Sequence, residues 1–283
     1  MVNCVIIYIN GKLSKNLCNI NLYVINSQII TCEKHTEGSL IMRIEVQFLV
    51  TNKEFPLDYR RIFISFLKDC ISNCNKGGYM EKYYEPGREK EYSFAIFFEK
   101  PKFSKERIEM ESEKVKMVFS TSDKLTGFIF YSAFLDNKNK RFPLENGNEM
   151  TLVRVNEVKQ QKVESRHVLF QTASPLCIRW HNPKTNQDYY YSYSNEEFKE
   201  VFLHVVKTQL VHAGFSAEYL QGLNIEPISC KKVIVKHYNC NIECTLGKIL
   251  LEGKQAVLQY LLNAGCGSRK SSGFGMLELI TNG

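Results

Sequence analysis

The sequence predicts an α+β chain in which one order of elements, βαββαβ, occurs twice in tandem. Three observations carry that reading. Apolar residues alternate at period two in one set of segments, they recur every three or four residues in another, and the two kinds follow one another in the same order on either side of residue 160.

The first unit opens with Met42-Arg43-Ile44-Glu45-Val46-Gln47-Phe48-Leu49-Val50, where Ile44, Val46, Phe48 and Val50 share one face of a strand. A helix follows over residues 57–74, because the apolar pairs Ile62/Phe63, Phe66/Leu67 and Cys70/Ile71 recur every four residues. Strands at 91–98 and 114–120, a helix at 121–135 and a strand at 150–158 complete the set.

In the second unit a strand region at 167–180 is interrupted at Ser174-Pro175, since proline has no N–H to give a ladder. The next helix spans 195–212, with Ser194 and Glu197 at capping-box spacing. Strands at 232–239 and 243–252, a helix at 254–263 and a last strand at 275–281 close the unit. Two such units read as tandem ferredoxin-like domains over 42–160 and 161–283, each an antiparallel sheet with helices on one face. Residues 1–41 are Asn/Ile-rich with short apolar runs, and read either as an extension upstream of a functional start at Met42 or as a β-hairpin of Asn3–Ile9 and Asn21–Thr31 packed on an edge.

At 283 residues and 44% hydrophobic content the chain can bury two cores. Lys and Arg outnumber Asp and Glu by 37 to 30, and the net charge of +7 favours a polyanionic partner without requiring one. Ten cysteines without regular spacing read as reduced thiols, and Cys70/Cys74 and Cys240/Cys244 lack the CxxC spacing and His partners of structural zinc, so no metal or cofactor is expected. No apolar run reaches the ~18 residues of a membrane span and no signal-peptide pattern opens the chain, which predicts a cytoplasmic protein.

The most informative segment is Asn263-Ala264-Gly265-Cys266-Gly267-Ser268-Arg269-Lys270-Ser271-Ser272-Gly273-Phe274-Gly275-Met276. Its glycines let backbone amides point at phosphate oxygens, and Arg269 and Lys270 add charge. It lacks GxxxxGK[ST] and runs from helix to strand, which excludes a Walker A loop.

Gly265-x-Gly267 followed by Ser271-Ser272-Gly273-Phe274-Gly275-Met276 resembles the C-terminal glycine-rich signature of the sixth family of CRISPR-associated proteins, in the RAMP superfamily with its RRM-like domains. Thr172-Ala173-Ser174-Pro175-Leu176 is similar to the segment that opens that family's second domain, and Leu246–Gly253 to the strand before its last helix, so the resemblance spans residues 42–281. It implies an endoribonuclease that cuts CRISPR repeat RNA without a metal. The ribose 2′-hydroxyl attacks the adjacent phosphorus and leaves 2′,3′-cyclic phosphate and 5′-hydroxyl ends. The implied partners are precursor and mature CRISPR RNA and other effector-complex subunits, for a monomer or homodimer.

Family members place a His after the first helix, a Tyr on it and a Lys downstream. Here no histidine lies between Met42 and Arg166, the segment Tyr79–Lys90 replaces the His-bearing stretch, and Lys68 stands at the tyrosine's position. The candidate catalytic set is Lys68, Lys82 and Arg88, with Tyr79 and Tyr83 for proton transfer or positioning. Lys and Tyr titrate near 10.4 and about 10 when unperturbed, so burial or neighbouring cations must lower any that acts as a base. Of the six histidines, His167 and His181 flank the opening strand region of the second domain and rank behind Lys82.

For RNA binding the candidates are the loop residues Gly265, Gly267, Ser268, Arg269, Lys270, Ser271, Ser272, Gly273, Phe274 and Gly275, with Lys231 and Lys232; Arg60, Arg61 and Lys236 add charge. Tyr189-Tyr190-Tyr191 and Tyr193 offer stacking rings, although strand alternation sends half of them to the core. The missing histidine also fits a second reading, a non-catalytic RNA-binding subunit.

Overall fold

A computed structural model describes residues 43–85 and 90–283, together with the backbone of four short strands between residues 8 and 31. The chain divides into two compact units, Met1–Ser39 and Leu40–Gly283. Within the first, Tyr8–Ile9 pairs with Lys12–Leu13 and Leu22–Ile25 with Gln28–Thr31. These are two local pairings, and not the single hairpin of residues 3–9 with 21–31 that is one of the two expectations for this stretch.

In the second unit the strands β1 (Arg43–Val50), β2 (Tyr92–Phe98), β3 (Lys114–Thr121) and β4 (Glu149–Glu157) form an antiparallel sheet in the order β4-β1-β3-β2, and Arg141–Pro143 adds to the β4 edge. Helices α1 (Arg60–Asn73) and α2 (Lys124–Asp136) cover one face. Helix α1 buries Phe63, Phe66, Leu67, Cys70 and Ile71, a stripe at three- and four-residue spacing, and Phe48 of β1 meets Phe63 and Phe66 edge-on. Asp123 starts α2, its carboxylate accepting from the amides of Leu125 and Thr126.

Strands β5 (His167–Thr172), β8 (Asn224–His237), β9 (Cys240–Glu252) and β10 (Leu277–Thr281) form the second sheet, in the order β8-β9-β5-β10. In both sheets the first and third strands of the unit are central and the second and fourth lie outside them. The α+β fold with two ferredoxin-like units is therefore present. Helices α3 (Phe198–His212) and α4 (Gln255–Ala264) close this core with Phe202, Val206, Leu210, Val257, Leu258 and Leu261. After β5, Pro175 interrupts the strand; Leu176 rejoins β9 through a single bridge to Thr245, and the hairpin β6 (Ile178–Asn182) and β7 (Gln187–Tyr191) follows.

Two local expectations fail. Helix α3 begins at Phe198 without a side-chain cap: Ser194 meets the Ser192 hydroxyl at 2.9 Å, and the Asn195 side chain accepts from the Ser192 amide, so a turn takes the groups a capping box would use. Strand β8 begins at Asn224, upstream of the expected 232, because a bulge between Pro227 and Ser229 breaks the alternation there. Among the described residues no helix is long and apolar enough to cross a membrane.

Candidate nucleic-acid interface

The glycine-rich loop lies in the seam between the two sheets. Arg43 of β1, 8% exposed, donates to the Leu277 carbonyl at 2.6 Å, the Ser120 hydroxyl donates to the Asn263 carbonyl at 2.8 Å, and Arg60 at the start of α1 donates to the Gly273 carbonyl at 3.1 Å. The Arg60 guanidinium also sits 4.8 Å from the centre of the fully buried Phe274 ring. Two glycines are required by shape: at Gly275 (φ 66) a Cβ would lie 2.0 Å from the Cys266 carbonyl oxygen, and at Gly273 (φ 82) one would lie 2.8 Å from the Phe94 ring.

Many amides of this loop are bonded within the protein. Cys266 donates to Gly275, Gly267 to the Gln209 side chain, Ser268 to Cys177, Gly275 to Pro175 and Met276 to the Ser174 hydroxyl, all between 2.8 and 3.0 Å. Ser272 and Gly273 donate back to Arg269 and Lys270. The expectation of amides that cradle a phosphate does not hold for these positions, since a paired and buried donor has no free proton to offer. Gly265, Gly267, Lys270, Gly273, Phe274 and Gly275 are buried, whereas Ser268, Arg269, Ser271 and Ser272 reach solvent. Arg269 is bound by the Tyr190 hydroxyl at 2.6 Å and by Asp188 at 3.4 Å. Asp188 also meets Arg179 and His181; partial burial opposes its ionisation, but these partners hold the carboxyl below its ordinary range.

The β8–β9 hairpin brings a second set of groups to the start of α1. Asp58 accepts from the Tyr238 amide at 3.0 Å and lies 3.4 Å from Nδ1 of His237, which is 1% exposed against Phe274. Burial lowers the His237 pKa, partly opposed by Asp58. This histidine is missed by the sequence reading, which prefers His167 and His181. Those two are exposed and paired with Glu252 and Asp188. Further along β8, Lys231 is exposed, and Lys232 is exposed with Glu243 at 3.4 Å. Among the tyrosines, Tyr189 and Tyr193 are exposed while Tyr190 and Tyr191 are half-buried.

The expected catalytic residues fall into separate places. A short helix, Met80–Tyr84, follows α1. Tyr79 precedes it and is half-buried. Lys82 pairs with Asp123 at 3.2 Å, at the start of α2. Tyr83 is 3% exposed, meets Phe130 edge-on and shares a hydrogen bond between its hydroxyl and that of Thr126 at 2.9 Å; burial raises its phenol pKa. That makes Tyr83 a core residue and not the proton-transfer group expected for it, because an RNA has no access to it. Lys68 is exposed on α1, its Nζ 5.4 Å from the centre of the Tyr84 ring, and Lys90 places its Nζ 4.7 Å from the same ring. Burial lowers the Lys90 pKa, and the Lys68 charge lowers it further. Arg88 lies outside the described residues. Among the described residues no group of three or more His, Cys, Asp and Glu side chains is placed to hold a metal ion.

Residues 157–279 match the family model for the C-terminal part of the CRISPR associated protein Cas6. Three solved structures share the fold over most of the chain. One, described as the product of a Cas6-related gene from Pyrococcus furiosus, has 17% identity and a TM-score of 0.74, covering 86% of this chain and 99% of its own. A RAMP protein binding different RNA substrates has 19% identity and a TM-score of 0.73, covering 85% and 100%. A Cas6 product complex has 14% identity and a TM-score of 0.62, covering 84% and 99%. No curated protein sequence matches the chain.

Proposed function

We propose, from the premise that this chain is a Cas6-type CRISPR-associated protein, that it cuts CRISPR repeat RNA by attack of a ribose 2′-hydroxyl on the adjacent phosphorus. The bond from phosphorus to the 5′-oxygen breaks, leaving a 2′,3′-cyclic phosphate and a 5′-hydroxyl. Such a reaction needs a group to take the 2′-OH proton, one to protonate the leaving oxygen, and a cation beside the crowded phosphorus.

The observation that carries this reading is the position of α1. Its first residue, Arg60, is bonded to the glycine-rich loop, and Lys68 stands exposed eight residues later, about 12 Å further along the helix axis. A strand of RNA crossing the seam would meet the half-exposed Arg269 and loop serines first and the Lys68 ammonium within a few nucleotides. Lys231 and Lys232 on β8 extend the basic surface, with Tyr189 and Tyr193 available to stack on unpaired bases. Mature CRISPR RNA and other effector-complex subunits are the partners this role implies.

The test is end-group analysis of repeat RNA incubated with the protein. A 2′,3′-cyclic phosphate on the upstream fragment supports the reading. A 3′-hydroxyl with a 5′-phosphate on the downstream fragment excludes it.

A further inference from the structure

Two lysines share one aromatic ring just beyond α1. The ammonium groups of Lys68 and Lys90 lie 5.4 and 4.7 Å from the centre of the Tyr84 ring, which attracts cations to its faces. Among the described residues no carboxylate pairs with either. This sets the pair apart from Lys82, whose charge is taken up by Asp123, and from Arg269, whose charge is shared with Asp188. Around the ring stand Lys68 and Cys70 of α1, Tyr83 of the short helix, and Tyr92 at the start of β2. Burial keeps the phenols and the thiol protonated, so none of these groups offsets the two positive charges.

Two like charges set around one ring repel each other, and the repulsion is relieved when the more buried amine gives up its proton; the ligand that a repeat-cutting enzyme brings to such a pair is a phosphodiester. We infer that the scissile phosphate lies against Lys68 and Lys90, with neutral Lys90 the catalytic base and Lys68 the acid and fixed cation. This assignment rests on the proposed cleavage reaction and adds to it a residue absent from the set Lys68, Lys82 and Arg88.

In this scheme neutral Lys90 takes the proton of the 2′-hydroxyl as the new O2′–P bond forms. Lys68 gives a proton to the 5′-oxygen as its bond to phosphorus breaks. Afterwards Lys90 is charged and Lys68 neutral, and one proton passing between them through water restores the starting state. Of the two amines Lys90 is the better base because it is half-buried and feels the Lys68 charge, both of which favour its uncharged form.

The test measures single-turnover cleavage of repeat RNA by the wild type, Lys90→Arg and Lys68→Ala, each with the natural substrate and with one whose leaving 5′-oxygen is replaced by sulfur. A 5′-thiolate leaves without an acid, so sulfur restores a variant that lacks the acid and leaves unchanged one that lacks the base. Lys90→Arg carries a fixed charge, cannot take up the 2′-hydroxyl proton, and is expected to bind RNA at least as tightly as the wild type. It should cut at least ~10²-fold more slowly on both substrates. Lys68→Ala is expected to be slow on the natural substrate and recovered by sulfur. Wild-type rates from Lys90→Arg, or recovery of that variant by sulfur, would overturn the assignment while leaving the cleavage reaction standing. A wild type that binds the RNA and cuts neither substrate would overturn both.

Discussion

The Nε of Arg60 donates to the carbonyl oxygen of Gly273 at 3.1 Å, joining the first domain's helix to the second domain's glycine-rich loop across 213 residues of sequence. Arg60 is 5% exposed, so its charge is held by this bond and by the Phe274 and Tyr59 rings. Replacing it by Met should leave the Gly273 carbonyl unsatisfied in the seam. A loss of ~1.5–3 kcal/mol in urea unfolding is expected, with Arg60→Lys in between. An unchanged midpoint would mean that the seam is held elsewhere.

Gly275→Ala and Gly147→Ala separate two effects of a glycine substitution. Both positions have positive φ, 66 and 70, but a Cβ at Gly147 meets nothing within 4 Å, while one at Gly275 runs into the Cys266 carbonyl. Gly147→Ala should destabilise by only ~1–2 kcal/mol of backbone strain. Gly275→Ala should cost well beyond that and disturb RNA binding through the loop, as measured by unfolding and by filter binding.

Salt dependence distinguishes the lysines of β8. If Lys231 meets a phosphate of unpaired RNA, Lys231→Ala should reduce the slope of log affinity against log salt by ~0.7. Lys232 shares its charge with Glu243 at 3.4 Å, so Lys232→Ala should change the slope less. Equal changes would show that the Glu243 pair opens when RNA binds.

Stability should depend on pH through His237. Burial lowers its pKa in the folded protein, so the unfolded chain, titrating near 6.5, takes up the proton first. Stability is therefore lost as pH falls below about 6.5 and levels off once pH is under the folded value. His237→Gln should flatten this part of the curve in thermal melts from pH 7.5 to 5. A slope unchanged by the substitution would assign the dependence to other groups.

Much of the fold is legible from local pattern. Strand β1 alternates cleanly and α1 repeats its apolar pairs every four residues, so both fall within a few residues of their expected limits. Strand β8 hides its first turns behind Pro227 and a bulge, and the Ser194/Glu197 spacing misleads because Asn195 makes a local turn with Ser192. In the glycine-rich loop the residue types are readable but the direction of the amides is not. That direction depends on Pro175, Cys177 and Gln209, which only tertiary packing brings near. For the same reason Lys90 escapes notice: nothing local indicates that it shares a ring with Lys68, twenty-two positions earlier.

The most direct test of the cleavage reaction uses two copies of the repeat RNA that differ by one atom, incubated with the protein in EDTA. One carries the 2′-hydroxyl at the cut site and the other a hydrogen. Cutting of the first and not the second is the predicted result, because the attacking oxygen is then the RNA's own. Equal cutting of both would contradict the 2′-hydroxyl mechanism, and tight binding of both without cutting would make the chain an RNA-binding subunit and not a nuclease.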